Sequence, residues 1–129
     1  MYIRYGHKSI QELLNKTITE IKPSDEQIIF TLSDGSKYKM YHEQDCCESV
    51  WLEDTVGEYS DLLNSPILRA EEVHSDDKPP TTQYLDESST WTYYTLATIK
   101  GTVVLRWFGT SNGYYSESVD FKLITEARQ

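Results

Sequence analysis

Residues 90 to 124 constrain this chain most. Thr90 to Ile99 and Thr102 to Gly109 are runs of aromatic and β-branched residues parted only by Lys100-Gly101, a break that leaves room for nothing but a tight reversal. The polar turn Thr110-Ser111-Asn112-Gly113 then leads into Tyr114 to Ile124. There Tyr115, Val119, Phe121 and Leu123 fall on one face and Ser116, Ser118, Asp120 and Lys122 on the other, the period of two of a half-buried strand. The expectation is a three-stranded antiparallel meander.

Upstream, Thr17 to Lys22 reads as a strand stopped at Pro23-Ser24-Asp25, and Gln27 to Ser33 as its partner, with Ile28, Phe30 and Leu32 on one face. Asp34-Gly35 supplies a two-residue turn into a returning strand, Lys37 to Glu43. Ser9 caps a short helix whose apolar face is Ile10, Leu13 and Leu14, and Glu58 to Leu63 predicts a second, ended near Ser65-Pro66. Glu43 to Leu52 has no clean period and reads as a strand end passing into a loop or short helix. Ile67 to Val73 returns to strand, and 75–89, with Pro79-Pro80 and many small polar residues, reads as a mobile surface loop. The fold class is therefore α+β: a mainly antiparallel β-meander with two or three short helices, in one domain over residues 1–129.

The net charge of -9 and a pI near 4.7 disfavour a surface that tracks duplex nucleic acid, although a small anion needs only one or two local cations. No apolar run is long enough for a membrane span and the first residues lack a signal-peptide core, so a cytoplasmic address is expected. Cys46 and Cys47 are neighbours. Bridging adjacent residues would strain the disulfide geometry severely, so they read as two reduced structural thiols, and side chains that point apart on a strand and diverge on a helix are unsuited to sharing a metal. The phosphate-cradling and catalytic signatures of common enzymes are absent, no metal or cofactor is expected, and the chain reads as a binder rather than an enzyme.

Aromatic residues are the more informative feature. Trp107 and Phe108, Tyr114 and Tyr115, and Tyr93 and Tyr94 are adjacent pairs on strands, so one member of each must lie on the face away from the core. An aromatic second face with Arg106, Asn112 and Ser116 nearby suits either the stacking of planar bases or a subunit interface.

Two blocks, His42-Glu43-Gln44-Asp45-Cys46-Cys47-Glu48-Ser49-Val50 and Arg106 through Val119 (RWFGTSNGYYSESV), resemble a family of small proteins widespread in tailed bacteriophages. The likeness runs from Leu14-Asn15-Lys16-Thr17-Ile18 to the last strand, with the Pro79-Pro80 loop looking like an insertion. The chain also looks like the phage anti-CBASS proteins that act as sponges for cyclic nucleotide signals of bacterial defence. That resemblance implies a homo-oligomer (dimer or tetramer) in the host cytosol that binds a cyclic dinucleotide without cleaving it. The ligand-binding candidates are Tyr41, Gln44, Arg106, Trp107, Asn112, Tyr114, Tyr115 and Ser116, with Lys100 and Arg69 as further anion donors. A rival expectation is a phage protein that blocks a host protein directly through its acidic surface, and a metal- or cysteine-dependent enzyme is a third.

Overall fold

A computed structural model describes residues 8–75, 88–112 and 116–127. Among these residues eight strands form two four-stranded antiparallel sheets. The first has the order β1 (Ile18–Pro23), β2 (Gln27–Leu32), β3 (Lys37–Tyr41), β8 (Asp120–Thr125). The second has the order β4 (Ser49–Val56), β7 (Gly101–Ser111), β6 (Ser88–Thr98), β5 (Arg69–Ser75).

Both sheets turn their alternate residues into one core. Ile28, Phe30, Met40 and Phe121 of the first meet Tyr94, Leu96, Val103, Leu105 and Trp107 of the second. Trp107 is 0% exposed, and its Nε1–H donates to Met40 Sδ across the sheets at 3.2 Å. Burial of this alternation is what selects the register, because a one-residue slip would turn each inward set to solvent.

The antiparallel sheet is as the sequence indicates, but the helices are not. Ile10–Leu13 and Tyr59–Leu62 are four-residue 3-10 turns. Ser9 does cap the first, accepting from the Gln11 N–H, yet one turn is too short to nucleate an α-helix. The layer expected from helices is supplied by a second sheet.

Three further differences have local causes. Asp34-Gly35 belongs to a three-residue loop, Ser33 to Gly35, closed by Leu32 N–H to Ser36 O at 2.9 Å, with Gly35 at φ 89°. β4 was hidden because it is an edge strand with an irregularity between Leu52 and Asp54 that breaks the period of two. Finally, β8 does not extend the β6–β7 hairpin into a meander; it crosses over and pairs with β3, Met40 opposite Phe121. The crossing is fixed by Glu117, which is buried and accepts from the hydroxyls of Thr90 and Ser111. Glu117 lies tight against Gly109, where a Cβ would come within 2.9 Å of the Glu117 backbone oxygen. Alternation reveals a strand but not its neighbour. The loop expected over 75–89 falls almost wholly outside the described residues.

Neighbouring positions on β7 should separate the two faces. Trp107→Ala is expected to destabilise by about 3–5 kcal/mol, the range for emptying a buried aromatic site, whereas Phe108→Ala costs clearly less. Urea denaturation of both variants checks this, and equal losses would overturn the face assignment.

Candidate functional site

The chain passes from the first sheet to the second through residues 42–48, and a buried carboxylate organises that passage. Glu48 is 3% exposed. Its Oε1 accepts from the Asp45 N–H at 2.6 Å and meets His42 Nε2 at 3.1 Å, while the Cys46 N–H reaches both oxygens. His42 Nδ1 lies 2.7 Å from the Ser118 carbonyl on the other crossing segment. A carbonyl and a carboxylate both accept, so each ring nitrogen of His42 faces an acceptor, one on each crossing segment. Asp120 adds a second tie by accepting from the Glu43 N–H at 2.8 Å. The two blocks that are most distinctive in the sequence thus pack on each other.

Beside this knot lies a cleft of about 520 Å³ lined by Lys39, Tyr41, His42, Gln44, Glu48 and Trp51, with Asp25 to Gln27 at its rim. A second recess, of about 360 Å³, lies beyond Gln44 and is lined by Asp45, Ser116, Ser118 and Asp120. His42 and Glu48 reach the cleft with polar atoms already bonded to the two crossing segments. They shape the cleft rather than offering a free base or nucleophile.

From Trp51 an aromatic ladder runs across the outer face of the second sheet. Register sets Trp51, Phe108 and Trp91 in one row over β4, β7 and β6, and Asp54, Arg106, Tyr93 and Val73 in the next. Trp51 meets Phe108 edge-on at 5.3 Å, Phe108 lies 4.7 Å from Trp91, and Trp91 and Tyr93 are parallel within 2° at 5.9 Å. The Arg106 guanidinium sits 5.1 Å from the Trp91 ring and 5.8 Å from Tyr93, and is paired with Asp54 at 2.8 Å.

The residues singled out from sequence therefore separate. Tyr41 and Gln44 line the cleft, and Gln44 and Ser116 the adjoining recess. Gln44 is held by the carbonyls of Cys46 and Glu48, and the Ser116 hydroxyl by that of Ser118. Arg106 belongs to the ladder, and Asn112 is exposed at the end of β7. Trp107 is a correction: its indole is enclosed in the core, and only opening the sandwich would give a ligand access to it. Tyr114 and Tyr115 lie outside the described residues. The second aromatic face is real, but it is built by Trp51, Trp91, Tyr93 and Phe108.

The cysteine expectation is also revised. Cys46 and Cys47 sit in a bend, neither strand nor helix, and their sulfurs are bonded to each other. No group of three metal-ligating side chains occurs among the described residues, and no described helix is long and apolar enough to cross a membrane.

Residues 11–121 match the model of a domain of unknown function, DUF7448. The chain belongs to that family. No curated protein and no solved structure matches it. The matched span contains both crossing segments, the cleft and the ladder, so the site is made within the family's domain.

What sequence reading missed was the organising role of Glu48 and Glu117. A signal was present: the tripeptide Glu-Ser-Val occurs twice, at 48–50 and 117–119, and in both the glutamate is buried and the valine packs on the core.

Burial of Glu48 opposes its ionisation, but the N–H groups of Asp45 and Cys46 and the His42 ring outweigh it, so its pKa falls from 4.5 to about 2. The folded-state value lies below the unfolded one, so the ionised carboxylate stabilises the fold fully above pH 4.5, and that contribution fades as the pH falls towards 2. Glu48→Gln removes this dependence. Thermal melts of the variant should vary less over that window than those of the natural chain; parallel curves would exclude the role.

Proposed function

We propose that this chain is a non-catalytic binding protein that takes up a cyclic dinucleotide and holds it intact, as phage proteins do that withdraw such signals from bacterial defence in the host cytosol. The observation that carries the reading is the ladder of Trp51, Phe108, Trp91 and Tyr93 with Arg106 above it, half-buried flat rings on an outer sheet face. Every base has a π-face, so such a surface accepts nucleobases without reading their edges. Trp51 also borders the cleft, which brings Gln44 and Tyr41 within the compass of one ligand. Retention without cleavage is favoured by the bonded state of His42 and Glu48.

The same face bears on assembly. Val73, 56% exposed, stands on the row of Tyr93 and Arg106, and Val56, 52% exposed, on the same face one row along. A second copy packed there would cover them and close a ligand between two ladders, excluding water from the stacking contacts.

Isothermal titration against a panel of cyclic di- and trinucleotides, followed by chromatography of the recovered ligand, tests the function. Binding of at least one member with release of unchanged nucleotide is expected. Base stacking is worth roughly 1–3 kcal/mol per base, so Trp91→Ala should weaken binding by about 5- to 150-fold while the fold persists. Absence of binding across the panel would favour the rival in which the acidic surface blocks a host protein, and recovery of linear nucleotide would make the chain an enzyme. Assembly is tested separately: sedimentation at micromolar concentration should give a dimer or larger for the natural chain and a monomer for Val73→Lys, and a monomeric natural chain would sink the interface.

A further inference from the structure

The cations that sequence reading relied on to meet an anionic ligand are engaged. Arg106 is paired with Asp54 at 2.8 Å and Arg69 with Glu71 at 2.9 Å, and Lys100 Nζ donates to the Leu63 carbonyl at 2.5 Å. Positive charge is gathered elsewhere, on the outer face of the first sheet. Register sets Lys22, Ile29, Lys39 and Lys122 in one row across β1, β2, β3 and β8, with Lys37 one row along. A chain of net charge -9 thus places four of its eight lysines on one sheet face.

Within the row, Lys39 and Lys122 are direct cross-strand neighbours. Like charges in that position repel, and among the described residues neither ammonium has a carboxylate within 4.0 Å. Both are seated on Tyr41, at 4.5 Å and 5.1 Å from its ring centroid. Tyr41 is only 6% exposed, so the seat is fixed by the fold. The carboxylates facing this region are committed or peripheral. Glu20 takes Lys22 at 3.6 Å, Asp120 is buried and accepts from the Glu43 N–H, and Asp25 and Glu26 stand at the β1–β2 turn. Side by side, the two ammonium groups cost the fold stability; an anion bridging them turns the repulsion into charge-assisted hydrogen bonds.

We propose that Lys39 and Lys122, seated on Tyr41 and flanked by Lys37, hold the phosphates of a ligand that carries at least two of them. The two lysines rise from neighbouring strands, whose backbones lie about 4.8 Å apart, so each can meet a different phosphate. The inference deepens the nucleotide reading and rests on it only for the base: Lys39 and Tyr41 border the same cleft as Trp51, so phosphates on the lysines leave a base within reach of the ladder.

Isothermal titration of the full chain at low salt, with inorganic pyrophosphate, adenosine and cyclic di-adenosine monophosphate as separate probes, tests the proposal. Pyrophosphate should bind saturably, and the Lys39→Gln/Lys122→Gln double variant should lose about tenfold or more, while Lys100→Gln stays within about twofold. A thermal melt of the double variant no lower than that of the natural chain establishes that it folds. If it does not fold, amide chemical-shift changes induced by pyrophosphate in the natural chain must centre on Lys39 and Lys122. Absence of saturable pyrophosphate binding, undiminished binding by the folded double variant, or shifts centred elsewhere would each overturn the proposal. Pyrophosphate binding with no gain for the dinucleotide leaves the lysine site standing and removes the nucleotide reading. Adenosine binding without pyrophosphate binding does the reverse.

Discussion

Two buried glutamates decide how this chain becomes one body. A sandwich of two sheets needs its chain to leave one sheet and enter the other, and every backbone group on the way must find a partner. Here both crossings between β3 and β4 and between β7 and β8 are anchored by a glutamate: Glu48 gathers N–H groups of its own loop, and Glu117 pins its segment to hydroxyls of β6 and β7. His42 ties the two crossings together through the Ser118 carbonyl. Without these bonds the ends of the sheets would be free to part, and the cleft between Tyr41 and Trp51 would have no floor.

Most strands were legible because each buries one face, and the period of two survives wherever the partner strand is regular. β2, β6 and β7 read correctly for that reason. β4 did not, since its irregular pairing shifts the alternation halfway along. The placement of β8 was beyond periodicity altogether: Val119, Phe121 and Leu123 say which face is inward, but not that β7 is already paired on both sides, by β4 and β6, so that β8 pairs with β3 and Glu117 anchors the crossing. The short helices were overread because capping and an apolar stripe are shared by α-helices and single 3-10 turns.

Of the candidate site, the outer aromatic face was legible and the residues that build it less so. Adjacent aromatic pairs on a strand require rings on the outer face, but alternation alone does not choose between Trp107 and Phe108, which differ only in which sheet face they occupy. Lysine clustering was invisible in sequence. Lys22, Lys39 and Lys122 come from three separate segments, and only the pairing of β1, β2, β3 and β8 brings them into line.

The long return of β8 also orders events in time. The β6–β7 hairpin closes over a two-residue turn, so its contacts are local and cost little loop entropy. The first sheet is complete only when β8 reaches β3, where Asp120 binds a residue 77 positions earlier in the chain. A contact of that span follows from structure already formed, so the second sheet can assemble while the first still lacks its edge. During that interval β3 presents unpaired backbone and its lysines to solvent, and those charges deter the exposed strand from pairing with other chains.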